Sequence, residues 1–240
     1  MEASWPAAPG LRRPRILRQR WLDLTFLHWA VEPDEVARFF PPGTRPDTFE
    51  GRTYVGLVPF RMVGTGLPHG PGVPYFGSFL ETNIRLYSVD ETGRRGVVFR
   101  SLDANRLAVV STARTVFGLP YRWARMHHHR DGAHHTYTST LRRRGPQVDT
   151  AIGIEMGPRL SIGPLEDFLT ARWGLHIERF GRTWYLPNHH PAWTLHTATL
   201  TTLDAGALLS SVGLTPPGRP PDHLAFSPGV PAEFGLPLRH

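Results

Sequence analysis

Short extended segments separated by glycine and proline are the feature that most constrains the fold of this chain. Strands are predicted where apolar, β-branched and aromatic residues alternate or cluster between turn residues. These strands cover residues 23–29, 53–62, 79–89, 96–102, 148–156, 177–186 and 193–203. Pro59 interrupts the second of them, which predicts either a sheet edge or a β-bulge at that point. A chain with so many short strands is expected to form a largely antiparallel sheet.

A few short helices are predicted between the strands. Helical spacing or capping residues indicate helices over residues 32–40, 105–117 and 164–173, and Asp204 is suited to cap a short one that ends at Ser211. Gly118 ends the second helix and brings Tyr121 and Arg122 to the start of the next strand. The predicted fold class is α+β, with a curled, barrel-like antiparallel sheet and two to four short helices.

The basic charge of the chain is concentrated near its N-terminus. The net charge is +7 and the isoelectric point is about 10.6. Residues 1–20 hold five arginines and one glutamate, which leaves +3 for the other 220 residues. A continuous basic face, which nucleic-acid binding needs, is therefore not expected. We predict a flexible Arg-rich arm over residues 1–20 and a single domain over residues 21–240.

The sequence indicates neither a membrane partner nor secretion. No apolar run approaches the roughly 18 residues that a membrane-spanning helix needs. The first 20 residues are basic but lack the apolar core of a secretory signal. The chain has no cysteine, which excludes disulfides and thiolate chemistry. We expect a cytoplasmic protein, and the sequence leaves open whether it forms a homo-oligomer.

Six short motifs, each weak alone, together resemble a known bacterial family in their content and order. They are FLHW (26–29), VGLVPFRM (55–62), ETNIR (81–85), FRSLD (99–103), ARTVFGLPYRWAR (113–125) and NHHP (188–191). The set is similar to the YqjF-like proteins, catalogued as domain of unknown function 2071, from about residue 20 to about residue 237. That resemblance implies the acetoacetate-decarboxylase-like fold, an α+β domain with a small-molecule cavity, but it implies no particular activity.

The segment that resembles the decarboxylase active site lacks the amine of those enzymes. Asp103, Arg114 and the sequence Pro-Tyr-Arg ending at Arg122 follow the decarboxylase pattern, with Tyr121 at the position of the Schiff-base lysine. The chain has 27 arginines and no lysine. Because a Schiff base needs a primary amine, decarboxylation through a lysine imine is excluded. The pattern leaves two interpretations of Tyr121 and Arg122: a pair at the cavity, or a packed tyrosine with a solvated arginine.

Three polar residues of one strand are further candidates. Glu81, Asn83 and Arg85 are spaced by two, so they face one side of the strand, which is either solvent or a polar cavity. The resemblance of Glu81 to a pocket carboxylate of the decarboxylases favours the cavity. Arg61 is expected to pair with such a carboxylate, and a purely structural ion pair is the competing interpretation.

Histidines form the last group of candidates. His189 and His190 lie in a proline-flanked loop, where one of them can act as a general base or simply be hydrogen-bonded. His28 is interpreted as a satisfied sheet histidine. If Asp131 and Gly132 form a two-residue turn, the histidines between positions 127 and 135 pair across an exposed hairpin. Metal binding there is not predicted, because no carboxylate ligand beyond Asp131 is evident.

Two functions are compatible with these residues. The first is a cofactor-independent enzyme, of lyase, dehydratase or isomerase type, that acts on a small organic acid or carbonyl compound. Its catalytic residues are predicted to be Tyr121, Arg122, Glu81, His189 and His190, and its substrate-binding residues Arg61, Asn83, Arg85, Asp103 and Arg114. The alternative is a non-catalytic small-molecule binding protein. No cofactor is predicted, because the sequence has no nucleotide-binding or zinc-protease motif.

Overall fold

The computed structural model describes residues 8–11 and 13–239 of the chain. Most of these residues are in extended strands. The strands are β1 (Arg15–Val31), β2 (Thr44–Pro46), β3 (Thr53–Gly66), β4 (Phe79–Asp90), β5 (Arg95–Ala104), β6 (Tyr121–Asp131), β7 (His134–Leu141), β8 (Asp149–Arg159), β9 (Gly174–Arg179), β10 (Arg182–His189), β11 (His196–Asp204), β12 (His223–Gly235) and β13 (Leu238–Arg239).

The helices among the described residues are short. They are α1 (Pro33–Val36), which a 3₁₀ turn over Ala37–Phe39 extends, α2 (Leu107–Phe117), α3 (Pro164–Thr170) and α4 (Gly206–Ser210). None of these described helices has both the length and the apolar composition needed to cross a membrane.

The strands form a curled sheet that closes on itself. Their order is β13-β10-β9-β5-β6-β7-β8-β11-β12-β1-β3-β4-β2, and two further pairings join β5 to β4 and β10 to β12. Most neighbours are antiparallel, but β5 pairs in parallel with both β6 and β9. The predicted α+β class, with a curled and mainly antiparallel sheet and two to four short helices, is confirmed.

The closure of the sheet buries both faces of its central strands. In β1, Leu27 and Trp29 belong to one hydrophobic core, whereas Leu24 and Phe26 belong to a second core on the opposite face. Side chains alternate between the two faces of a strand, so β1, β3 and β4 contribute to both cores. The candidate site lies on the face that carries Leu24 and Phe26.

The end of α2 sets the position of Tyr121. Gly118 has a φ of 68°, a left-handed conformation that favours glycine, and its N–H donates to the carbonyl oxygen of Arg114 at 3.1 Å. Tyr121 then opens β6 and pairs with Leu102 of β5. The predicted helix end followed by a strand at Tyr121 is confirmed.

Six residues of the predicted flexible arm are part of the sheet. Residues 15–20 belong to β1 and pair with β12, from Arg15 opposite Gly235 to Arg20 opposite Pro231. Ile16 and Leu17 pack against buried side chains there, and this burial stabilises a segment that its arginines make look like a solvated tail. Residues 1–7 and residue 12 of the predicted arm lie outside the described residues.

The single strand predicted over residues 177–186 is wrong, because the chain reverses within it. β9 and β10 form a hairpin that turns at Phe180 and Gly181, whose φ values are 53° and 67°. Two consecutive positive φ values are typical of a type I′ turn, in which asparagine, aspartate or glycine is usual at the first position. A phenylalanine at that position is why the turn was not predicted.

Pro59 lies at a bulge and not at an edge, since β3 pairs with β1 on one side and β4 on the other. Leu22 is opposite Arg61 and Leu27 is opposite Leu57, so residues 23–26 of β1 face residues 58–60 of β3. The interrupted ladder accommodates a residue that has no N–H to donate.

Candidate active site

A polar cavity lies between the central strands and the segment from α3 to β10. Its volume is about 110 Å³, well above the roughly 10–15 Å³ that one water molecule needs. Apolar and aromatic side chains form most of its wall. The polar side chains that line it are Gln19, Glu81, Asn83, Arg85, Tyr121, Thr170, Arg172, Asn188 and His190. We call it the inner cavity.

Three of these polar groups come from β4 because of the strand's alternation. Glu81, Asn83 and Arg85 line the inner cavity, whereas Ile84 and Leu86 lie in the core on the other face. The side chain of Asn83 hydrogen-bonds Glu81. Of the two interpretations of this face, solvent or polar cavity, the structure has the cavity.

Glu81 and Tyr121 form a buried acid–base pair. The Tyr121 hydroxyl donates a hydrogen bond to Glu81 Oε2 at 2.7 Å, and Glu81 is 2% exposed. Burial raises the pKa of Glu81 to about 7, although hydrogen bonds from Tyr121 and Asn83 partly oppose the shift. Burial, followed by the charge of Glu81, raises the pKa of Tyr121 well above its ordinary value. The pair therefore holds a carboxyl that exchanges its proton near neutral pH beside a phenol that keeps its own.

Arg172 provides an unused hydrogen-bond donor at the cavity. It follows α3 and is 4% exposed. Its Nη1 donates to Asp47 Oδ2 at 2.5 Å and its Nε donates to the carbonyl oxygen of Phe168 at 2.7 Å. Nη2 is buried and has no hydrogen-bond partner among the described residues. Burial lowers the pKa of Arg172 to about 10, against the opposing effect of Asp47, so the guanidinium stays charged at neutral pH.

Arg85 is anchored by a chain of buried hydrogen bonds. Its Nε donates to the Tyr87 hydroxyl at 3.1 Å, and that hydroxyl lies 2.6 Å from His28 Nε2. His28 Nδ1 in turn lies 2.9 Å from His223 Nδ1. Burial, and then the nearby positive groups, lower the pKa of His28 well below its ordinary value, so the ring is neutral. His28 is thus a satisfied sheet histidine whose role is to hold Tyr87 and, through it, Arg85.

The two loop histidines face different surroundings. His190 lines the inner cavity, with Nδ1 2.9 Å from the carbonyl oxygen of Pro191 and a further hydrogen bond to the backbone of Arg172. Burial lowers the pKa of His190 to about 4, so it forms a neutral part of the wall. His189 pairs with Glu233 on β12 and lines a separate surface hollow.

Arg122 faces away from the inner cavity. Its Nε and Nη2 donate to the two carboxylate oxygens of Asp103 at 2.6 and 2.9 Å, and its Nη1 donates to Ser211 Oγ at 2.8 Å. With exposed Arg114, Arg122 borders a shallow hollow on that other side. Because adjacent residues of a strand point to opposite faces, Tyr121 and Arg122 do not share the cavity. Asp103, Arg122 and Arg114 are absent from its described lining.

Arg61 pairs with a different carboxylate from the one expected. Its Nε donates to Asp23 Oδ2 at 2.6 Å, beside the bulge of β1, and it does not line the inner cavity. Pro59 and the bulge turn this part of β3 against Asp23, which has a φ of 51°. The structural ion pair, the competing interpretation in the sequence, describes Arg61.

The histidine-rich hairpin has a different register from the predicted one. Arg130 is opposite His135, so Gly132 and Ala133 are the turn residues, with Gly132 at a φ of 57° in the first position. His128 Nε2 still lies 3.2 Å from His135 Nδ1, but His135 is buried against Phe226. No group of three potential metal ligands occurs among the described residues.

The sequence patterns do not identify four polar residues of the cavity wall: Gln19, Thr170, Arg172 and Asn188. The helix predicted over residues 164–173 includes Arg172, but the helix in the structure ends at Thr170. A buried arginine has no local signal, because a sequence does not reveal which remote carboxylate, here Asp47, offsets its burial. Asn188 and His190 are spaced by two along extended chain, so strand alternation predicts that they lie on one face.

Comparisons with known proteins agree with this architecture. The chain is 29% identical over 211 residues to the uncharacterized protein YqjF of Bacillus subtilis (strain 168), a match that covers 86% of this chain and 85% of that protein. Among solved structures, the enduracididine biosynthesis enzyme MppR complexed with pyruvate has a TM-score of 0.64 at 15% identity, covering 95% of this chain and 91% of that one. Acetoacetate decarboxylase from Legionella pneumophila has a TM-score of 0.60 at 14% identity, covering 100% and 93%.

The structural likeness confirms the predicted acetoacetate-decarboxylase-like fold, and the sequence likeness settles the family. The family model described as an uncharacterized conserved protein, DUF2071, matches residues 18–231. This span includes all six motifs that resemble the YqjF-like proteins. The chain therefore belongs to the DUF2071 family.

Proposed function

We propose that this protein is a cofactor-independent enzyme that moves a proton next to the carbonyl group of a small organic acid. The observation that carries the proposal is the buried Glu81–Tyr121 pair, whose carboxyl has a pKa of about 7, in a cavity also lined by Arg85 and Arg172. A general base works best when its pKa lies near the operating pH. Proton transfer beside a carbonyl is common to lyase, dehydratase and isomerase reactions.

Each cavity group has a role in this chemistry. Arg172 Nη2 and the Arg85 guanidinium bind the carboxylate of the acid. The Glu81 carboxylate takes a proton from the carbon next to the carbonyl, and the electron pair of the broken C–H bond moves to the carbonyl oxygen. The Tyr121 hydroxyl, which stays protonated, donates a hydrogen bond to the enolate oxygen that forms. The proton held by Glu81 then returns to the same carbon or to a neighbouring atom.

The chemistry differs from that of a Schiff-base enzyme. The sequence has no lysine, and Tyr121 occupies the position that resembles the decarboxylase lysine. A phenol cannot form an imine with a carbonyl. The proposal therefore uses proton transfer and hydrogen bonding alone.

A non-catalytic binding protein is the alternative function. A binding site needs a shaped apolar wall and a group that orients the ligand. It does not need a buried carboxyl and phenol whose pKa values are both raised by burial, as those of Glu81 and Tyr121 are. Perturbed titratable pairs in clefts are typical of active sites, which favours the enzyme.

Deuterium exchange into pyruvate tests the proposal. Pyruvate is the probe because MppR, a protein of the same fold, is known in complex with it. With the protein in D₂O above pH 7, we expect the methyl protons of pyruvate to be replaced by deuterium, as followed by proton NMR. Glu81→Gln should slow this exchange by about 10²- to 10⁴-fold, the usual contribution of general-base catalysis. Glu178→Gln, an exposed change on β9, is the matched control and should keep the full rate.

Binding of pyruvate without exchange in the unchanged protein would contradict the enzyme proposal and support the binding protein. Equal exchange rates in Glu81→Gln and in the Glu178→Gln control would contradict the role of Glu81.

Replacement of Arg172 tests the anion site separately. Arg172→Lys keeps a cation beside Asp47 but removes the unpaired Nη2, and Arg95→Lys changes the other arginine that binds Asp47, outside the cavity lining. We expect Arg172→Lys to weaken pyruvate binding by about tenfold or more, the value of a hydrogen bond to a charged group. Calorimetric titration should find Arg95→Lys unchanged, and equal affinity in both variants would contradict the assignment.

The proposal places the reaction in the cytoplasm, without a nucleic-acid, membrane or cofactor partner. These remain predictions from the sequence. Fractionation of cells that express the tagged protein is the measurement for its location.

A further inference from the structure

A second, larger space adjoins the inner cavity. Its volume is about 430 Å³, and we call it the outer chamber. Six residues line both spaces: Gln19, Met62, Leu119, Tyr121, Leu186 and Phe234. Because Tyr121 is one of them, the outer chamber begins beside the Glu81–Tyr121 pair.

The outer chamber differs from the inner cavity in its chemistry. The inner cavity is lined by charged Glu81, Arg85 and Arg172. None of the described residues that line the outer chamber is charged, and most are aliphatic or aromatic. Apolar walls that continue from a polar cavity indicate a ligand with one charged end and one apolar end.

Two elements build the outer wall of the chamber. One is α2, through Ala108, Val109, Ala113 and Phe117. The other is the loop after β3, which contributes Phe76 and further apolar side chains.

Backbone hydrogen bonds fold that loop onto β3. Thr65 N–H donates to the carbonyl oxygen of Gly77 at 2.9 Å, and Val73 N–H donates to the carbonyl oxygen of Thr65 at 2.8 Å. A Cβ at Gly77 would lie 2.6 Å from the Val73 oxygen, so glycine is needed for this close approach. These contacts hold the loop against β3, and Val73 and Phe76 remain 50% and 45% exposed.

We propose that the outer chamber binds the apolar tail of the acid whose carboxylate and carbonyl occupy the inner cavity. The substrate class is then a 2-oxo acid with an apolar side chain larger than the methyl group of pyruvate. This inference rests on the proposed function, since it takes the head of the ligand to lie beside Glu81 and Tyr121. The tail covers the half-exposed Val73 and Phe76, which otherwise face water.

A chain-length series tests the inference. Binding of pyruvate and of its homologues with two, four and six additional methylene groups is measured by calorimetric titration. Affinity should rise about fourfold for each methylene that enters the chamber, as transfer of a CH₂ group out of water predicts. Ala113→Trp fills the chamber from α2 and should abolish this rise while leaving pyruvate binding unchanged. Ser111→Trp, at an exposed position of the same helix outside the lining, is the matched control and should keep the rise.

The outcomes separate the two proposals. If pyruvate and its longer homologues bind with the same affinity, the outer chamber does not bind an apolar tail. That result would leave the proposed function unaffected. Absence of binding for every member of the series would overturn both. A rise that persists in Ala113→Trp would overturn the chamber as the tail site. Phe76→Ser, at a half-exposed loop position, should reduce the rise and gives the same test if Ala113→Trp does not fold.

Discussion

Two buried carboxylates on neighbouring strands accept hydrogen bonds from donors of different charge. Asp103 of β5 is opposite Thr82 of β4, while Glu81 is opposite Ala104, so the two side chains leave the sheet on different faces. Asp103 accepts two hydrogen bonds from the Arg122 guanidinium. Glu81 accepts its hydrogen bond from a phenol that carries no charge.

The difference in partner explains why, of the two, only Glu81 has a pKa raised close to neutral pH. Burial raises the pKa of both groups, but Arg122 opposes the shift at Asp103 with a full positive charge. At Glu81 only hydrogen bonds oppose it, and the pKa rises to about 7. Tyr121 and Arg122 are adjacent in β6 and therefore point to opposite faces, so Arg122 contacts Asp103 and Tyr121 contacts Glu81.

Replacing Arg122 should destabilise the protein at every pH at which Asp103 is ionised. Arg122→Met leaves Asp103 buried without its partner and should lower the free energy of unfolding by about 3 kcal/mol, the lower end of the usual range because the Arg122 side chain is partly exposed. Denaturant unfolding measures this change. The double variant Arg122→Met with Asp103→Asn should recover most of the loss. A double variant as unstable as the sum of its single changes would contradict the structural pair.

Replacing Glu81 with glutamine should instead raise the free energy of unfolding at neutral pH. The pKa of Glu81 in the folded protein, about 7, exceeds its ordinary value of 4.5. The stability that protonated Glu81 contributes is thus complete below pH 4.5 and is lost as the pH rises through 7. Relative to Glu81→Gln, the unchanged protein should lose about 3 kcal/mol across that window. A stability difference that does not vary with pH would contradict the raised pKa.

Replacing Tyr121 with phenylalanine should have a smaller effect, which is on the pKa of Glu81. The hydrogen bond from Tyr121 lowers the pKa of Glu81, so Tyr121→Phe should raise that pKa further. A bond worth about 1.4 kcal/mol corresponds to a shift of about one unit. The pH midpoint of pyruvate exchange is the measurement, and it should move upward. An unchanged or lower midpoint would show that Tyr121 does not donate to Glu81.

Much of the fold was predictable because its signals are local. Alternation along β4 predicted that Glu81, Asn83 and Arg85 share a face, and Gly118 predicted the helix end that delivers Tyr121. The turn at Phe180 was missed because the residue there does not favour its conformation.

The candidate site was only partly predictable because its remaining features depend on distant contacts. Arg172 forms an ion pair with Asp47, which is remote in sequence. Arg61 forms an ion pair with Asp23, which lies beside the bulge of β1. The separation of Tyr121 from Arg122 follows from strand alternation alone.

A titration of Glu81 itself tests the central claim most directly. Carboxyl carbon NMR of the protein labelled at glutamate follows the ionisation of each side chain, and the Glu81→Gln variant identifies the resonance by its loss. The account predicts a midpoint near 7 for Glu81. A midpoint near the ordinary value of 4.5 would contradict it.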